Sequence, residues 1–103
     1  MDEHGYPEQK ELAQIKRFKF LRWSDVLDLL EHIRALWNYG DAGGFILTGK
    51  NTLKLELHTY GWSGNEDIIG ALMGNALFWA LFWQSSRRGG HYKFEIRRSM
   101  FKS

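Results

Sequence analysis

The segment Leu53–His58 alternates apolar and polar side chains without interruption, and this alternation constrains the fold more than any other feature of the sequence. In an extended chain, one side carries three leucines and the other three polar residues: Leu53, Leu55 and Leu57 against Lys54, Glu56 and His58. Such a strand needs a sheet with one covered face and one wet face. The sequence therefore predicts an antiparallel sheet with helices packed on one side.

Two helices frame the first predicted hairpin, which turns at residues 48–51. The first helix begins at Ser24, whose side chain is expected to cap free amides, and ends near Gly40. Its apolar residues share one face because they recur at three- and four-residue spacing: Val26, Leu29, Leu30, Ile33, Leu36 and Trp37. The second helix begins with a capping box in which Ser63 and Glu66 would hold the shape of the segment. Gly74-Asn75 is its stop signal.

The aromatic run Ala76–Trp83 admits two interpretations. A helix would stack its two tryptophans but would be apolar all round. A strand suits the aromatic content, with apolar side chains on both faces. We favour a central strand that is covered by a helix on one face. A loop at Ser86–Gly90 and a returning strand at His91–Arg98 would complete the second hairpin.

The predicted order is therefore helix, hairpin, helix, hairpin, with a short edge strand over residues 17–23 in front. This order predicts an α+β, two-layer fold: an antiparallel sheet of about four strands with two helices on one face. A chain of 103 residues has room for one core. We expect residues 1–11 to be a flexible N-terminus, because they hold few apolar groups, and residues 12–103 to form the single domain.

Composition excludes several classes of protein. The chain has no cysteine, so disulfides and thiolate metal sites are excluded, and the four histidines lack metal-ligand spacing. The N-terminus lacks the profile of a secretory signal. The longest nearly apolar run, residues 68–83, is 16 residues long, whereas a membrane-spanning helix needs about 20. We expect a cytoplasmic protein that uses no cofactor and no metal and does not enter a membrane.

Basic charge is concentrated at the C-terminal end of the chain. Residues 84–103 hold six basic residues and one acidic residue, which suits contact with phosphate or an acidic protein surface. Arg87 and Arg88 stand on a glycine-flanked loop and offer fork-shaped donors to an anion. The other candidate contacts are two aromatic faces and a histidine: Trp62, Trp83 and His91.

These residues also have structural explanations, which stay open at this point. Ser63 and Glu66 would act only as a helix cap, and Glu66 or Asp67 would pair with the two arginines. A small hydrolase is a further alternative, with Ser85 or Ser86 as nucleophile, His91 as base and Asp67 as orienting acid. No nucleophile elbow supports it. We expect no catalytic residue.

Two motifs resemble a known group of sequences: the segment GWSGNEDII at residues 61–69, and SSRRGGHY at residues 85–92 followed by FEI. With Phe78, Trp79 and Trp83 between them, they resemble small uncharacterised proteins encoded by bacteriophages and prophages. The resemblance covers roughly residues 53–96. It implies a non-enzymatic accessory protein that acts in the cytoplasm of a bacterial host by binding a partner.

Three functions follow as expectations. In the first, the protein binds an anionic host partner and acts, for example, as an inhibitor of CRISPR or another host-defence system. In the second, it is a nucleotide or nucleic-acid binding module, including a sponge for signalling nucleotides. The third is the small hydrolase. Unpaired edge strands and abundant aromatic residues also suit a homodimer.

Overall fold

Helices and strands alternate in pairs along the computed structural model, which describes residues 1–101 apart from the Asp41 side chain. The elements in order are α1 (Gln9–Lys16), α2 (Trp23–Leu36), β1 (Phe45–Gly49), β2 (Thr52–His58), α3 (Ser63–Gly74), α4 (Ala76–Phe82), β3 (Trp83–Arg87) and β4 (His91–Arg97). The predicted α+β fold and its helix-hairpin-helix-hairpin order are confirmed. The helical layer holds four helices, whereas the predicted fold had two.

The four strands form one antiparallel sheet in the order β1-β2-β4-β3. The central strands β2 and β4 place Leu53 opposite Ile96 and Leu55 opposite Phe94, and all four side chains are buried. The polar residues between them face away from the core. The alternation in the sequence therefore predicted the orientation of β2 correctly.

The helices cover the apolar face of the sheet and close a single core. All six apolar residues predicted for the inner face of α2 are buried. α1 packs on α3, and α4 packs on β4 and β3. The second layer is thus built from four short helices, and the opposite face of the sheet is left uncovered.

The predicted strand over the aromatic run is wrong, because residues 76–82 form α4. Asn75 accepts a hydrogen bond from the Phe78 amide at 3.2 Å and caps the new helix directly after α3 ends. Phe78 and Phe82, four residues apart, are both fully buried on its inner face. The edge strand β3 begins only at Trp83, so the central position belongs to β4.

The predicted edge strand over residues 17–23 is also wrong. The chain between Phe18 and Leu21 is neither helix nor strand, and α2 begins at Trp23. The Phe18 carbonyl accepts from the Asn75 side-chain amide at 3.1 Å, so it needs no ladder partner. Phe20 packs against Phe82, with ring centroids 5.5 Å apart. This segment therefore contributes side chains to the helical layer.

Both predicted ends of α2 need correction. The helix starts one residue before Ser24, which is exposed, and it ends at Leu36. Tyr39, and not Gly40, adopts the left-handed conformation after the helix, with φ of 64°. At the start, the Asp25 carboxylate accepts from the backbone amides of Leu21 and Arg22 at 3.0 and 2.9 Å. These two bonds hold the pKa of Asp25 below its usual value, and the bond from the Arg22 amide has the larger effect.

Asp25→Ala is expected to lower the thermal midpoint at neutral pH, because two backbone donors lose their acceptor. The folded-state pKa of Asp25 is depressed, so its stabilisation is complete above about pH 4 and is lost as the pH falls through the folded pKa. The difference in thermal midpoint between the wild type and Asp25→Ala should therefore disappear in acid. Asp28→Ala, which removes an exposed carboxylate from the same helix, is the control. A gap for Asp25→Ala that persists in acid would contradict this assignment.

No helix within residues 1–101 is long and apolar enough to span a membrane. The division into a flexible segment 1–11 and a domain 12–103 stays a prediction. α1 begins inside the first of these segments, at Gln9.

Candidate functional site

The β3–β4 turn meets the segment that leads into α3 where Thr59 contacts Gly90. The Thr59 amide donates to the Gly90 carbonyl at 2.9 Å, and the Thr59 side chain is 1 % exposed. A Cβ atom at Gly90 would lie 1.9 Å from Thr59 Oγ1, and Gly90 has φ of +79°. Only glycine fits this position without a shift. The β3–β4 turn is therefore fixed against the segment that leads into α3.

Ser63 and Glu66 do not form the predicted capping box. α3 starts at Ser63 with no side-chain cap, and the Glu66 amide bonds to the Trp62 carbonyl at 3.1 Å. Both side chains are exposed. The buried polar residue of the segment 61–69 is Asn65. Its side chain forms two hydrogen bonds with the Asn38 backbone, at 2.8 and 2.9 Å. Asn65 holds the segment in shape, a role that no local sequence pattern indicated.

Trp62 lies against the N-terminal segment of the chain. Its ring stacks on Tyr6 with centroids 4.8 Å apart, and a Cβ atom at Gly64 would lie 2.3 Å from the same ring. Tyr6 therefore occupies one face of the Trp62 ring. Position 64 must be glycine because any larger side chain would collide with that ring. This position joins the start of the chain to the start of α3.

Trp83 lies at the junction of α4 and β3 and is 42 % exposed. Its indole N–H donates to Ser86 Oγ at 2.7 Å, and its ring stacks on Trp79 with centroids 6.3 Å apart. In the sheet it lies opposite Phe94, a core residue. Trp83 thus belongs to the helix-covered side of the sheet and not to its uncovered face.

Arg87 and Arg88 are both exposed at the β3–β4 turn. Neither forms an ion pair with any side chain that the structure describes, which leaves out Asp41 and residues 102–103. The alternative pairing with Glu66 or Asp67 is not formed; these acids line a groove between α1 and α3. Both guanidinium groups are therefore available to an external anion.

His91 pairs with His58 beside Arg87. Arg87 lies opposite His91, which lies opposite His58, so the three form one row across β3, β4 and β2. The two Nδ1 atoms are 2.7 Å apart, so one ring donates its N–H to the lone pair of the other. The alternation in the sequence predicted only that His58 lies on the wet face of its strand. Only the register of β2 on β4 shows the pair.

Acidic residues on the uncovered face are already engaged by basic neighbours. Glu56 lies 3.9 Å from Lys93 and 3.8 Å from His58, and Glu95 bonds to Arg97 at 3.2 Å. These exposed pairs add little stability, but they neutralise the face locally. Arg87 lies at the end of this face without such a neighbour. Lys102, which belongs to the predicted basic end, lies outside the described residues.

Of the residues of the hydrolase alternative, Ser85 lies opposite Lys93, on the same face of the sheet as His91, but Asp67 does not join them. Ser86 accepts the indole N–H of Trp83 and lies opposite Tyr92, on the other side of the sheet from His91. Asp67 lies in the α1–α3 groove. Among the described residues, no group of three or more His, Asp or Glu side chains is placed to hold a metal ion. The described residues around Arg87 and His91 form a charged surface at one end of the uncovered sheet face.

The fold and the site together define a small α+β domain with a basic hairpin at one end of an uncovered sheet face. Comparisons with protein-family models, with curated proteins and with solved structures find no match.

Proposed function

We propose that this protein is a non-enzymatic binding module whose β3–β4 hairpin binds an anionic partner. The observation that carries the proposal is that Arg87 and Arg88 are exposed and form no ion pair within residues 1–101. The contact between Gly90 and Thr59 gives their turn a fixed position. Arginine on a fixed turn loses less freedom on binding, so its two-pronged donors hold a carboxylate or phosphate more tightly.

The resemblance to phage-encoded proteins implies the biological setting of the proposal. The partner would be a host protein with an acidic surface, such as a component of CRISPR or another defence system, in the bacterial cytoplasm. An expected homodimer is supported by the edge strands β1 and β3, each of which has a strand neighbour on one side only in the described sheet.

A labelled polyglutamate peptide without apolar residues tests the hairpin directly. The double variant Arg87→Ala/Arg88→Ala is expected to weaken its binding at least about tenfold, which corresponds to about 1.4 kcal/mol, while the thermal midpoint stays near wild type. Fluorescence anisotropy at two salt concentrations measures both affinity and salt dependence.

The matched control is Arg97→Ala/Arg98→Ala, which removes the same charge at the other end of β4. It should weaken binding much less. Equal losses in the two double variants would indicate a general charge effect and would contradict a hairpin site. Tighter binding of a labelled oligothymidine, with loss in Trp62→Ala, would favour the nucleic-acid alternative instead.

A further inference from the structure

The helical layer carries exposed apolar side chains that the hairpin site does not use. Met73, Leu77 and Leu81 recur every four residues from the end of α3 along α4, and Leu77 is 56 % exposed. Leu21, in the connection between α1 and α2, is 81 % exposed. Large apolar residues that cluster in solvent mark contact surfaces, whereas single ones need no explanation.

Leu21 and Leu77 line the same groove, together with Phe18 and Phe20. Its volume is about 390 Å³, which falls within the range of ligand pockets. Asn75 also lines it and donates to the Ile15 and Phe18 carbonyls at 3.0 and 3.1 Å. These bonds tie the α1–α2 connection to α4, so the groove is formed before any partner binds.

The rim of this groove is basic. Three cations line it, Lys16, Arg17 and Lys19, and none forms an ion pair within residues 1–101. Lys16 and Arg17 also line the neighbouring α1–α3 groove, which contains Glu66 and Asp67. An apolar floor with unpaired cations at its edge is complementary to an apolar anchor flanked by carboxylates.

We propose that this groove binds an acidic amphipathic helix of a partner protein, with a leucine or phenylalanine side chain of that helix inserted between Leu21 and Leu77. Burial of the anchor supplies the affinity, and the rim cations select acidic flanks over basic ones. The groove lies in the helical layer, whereas Arg87 lies on the uncovered face of the sheet. It is therefore a second surface, independent of the hairpin.

A designed labelled peptide, helical with leucines on one face and glutamates on the other, tests the groove by fluorescence anisotropy. We expect Leu21→Ser/Leu77→Ser to weaken binding at least about tenfold. Leu27→Ser, which changes an exposed leucine of α2 outside the groove, should leave it unchanged. Both variants must keep the wild-type circular dichroism spectrum, and the exposure of the three leucine side chains favours this.

The double variant Lys16→Glu/Lys19→Glu tests charge selection. It should no longer bind the glutamate peptide, and it should bind a peptide with lysines in place of the glutamates. Because the glutamate peptide can also contact the hairpin, the measurement is repeated in Arg87→Ala/Arg88→Ala, where groove binding should persist. Failure of the polyglutamate test would leave this result unaffected.

Three outcomes would overturn the proposal. The first is unchanged peptide binding by Leu21→Ser/Leu77→Ser, and the second is equal binding of the glutamate and lysine peptides to wild type. The third is a wild-type dimer in sedimentation that Leu21→Ser/Leu77→Ser dissociates, since a second copy of the chain would then fill the groove.

Discussion

Asn75→Ala is expected to destabilise the protein by about 2–3 kcal/mol, because one side chain serves three segments. Its oxygen accepts from the Phe78 amide at the start of α4, and its amide donates to the Ile15 and Phe18 carbonyls. The residue is only 6 % exposed, so water cannot replace these bonds without opening the core. The shift in the urea midpoint, with an unchanged slope, measures the loss.

Two further variants separate the functions of Asn75. Asn75→Asp keeps an acceptor for the Phe78 amide but removes both donors, so it should also lose stability. Asn51→Ala changes an exposed asparagine and should stay within about 0.5 kcal/mol of wild type. If Asn75→Ala unfolded at the same urea concentration as Asn51→Ala, the capping and bridging roles would be wrong.

Gly90→Ala is expected to cost about 3 kcal/mol, and Gly61→Ala about 1 kcal/mol. Both glycines have positive φ, +79° and +70°, so an alanine at either position is strained. A Cβ atom at Gly61 would meet nothing within 4 Å, whereas at Gly90 it would lie 1.9 Å from Thr59 Oγ1. The difference between the two variants therefore isolates the contact between the turn and the Thr59 segment.

Thermal and urea unfolding of both alanine variants give this difference. Thr59→Ala removes the Oγ1 atom and should recover part of the loss when combined with Gly90→Ala. Gly90→Ala should also weaken anion binding at the proposed site, because a shift of Gly90 away from Thr59 moves the turn that carries Arg88. Equal destabilisation by Gly90→Ala and Gly61→Ala would show that the turn moves away from Thr59 at no cost.

Much of the fold was predictable because its signals are local. The leucines of β2 alternate with period two, and the apolar residues of α2 recur with the period of a helix, so each element shows which face is buried. Turn residues separate β1 from β2 and β3 from β4. Element order then follows, and with it the α+β architecture.

The errors fall where a local preference competes with a distant partner. Aromatic residues favour a strand at 76–82, yet Asn75 caps a helix there and is held by carbonyls about 60 residues earlier in the chain. Phe18 and Phe20 alternate like a strand, but both pack into the helical layer. In both cases tertiary contacts outweigh intrinsic preference, which differs by only about 1 kcal/mol between residue types.

Some features of the candidate site were predictable from the sequence, and others depend on distant contacts. Arg87 and Arg88 were identifiable from the sequence because two cations beside two glycines are a local pattern. Their lack of an acidic partner within residues 1–101, the pairing of His58 with His91, and the stacking of Trp62 on Tyr6 depend on strand register and chain packing. None of these has a spacing that sequence periodicity can detect.

The buried faces of β2 and α2 can be read from the sequence, because the period of the apolar side chains shows which face of each element is apolar. The sequence also determined that the positive charge lies at the C-terminal end. Only the folded structure shows that the aromatic run is a helix, that Tyr6 stacks on Trp62 and that a basic-rimmed apolar groove lies beside Leu77. These features are formed by residues far apart in the chain, and only the folded backbone brings such residues within contact distance.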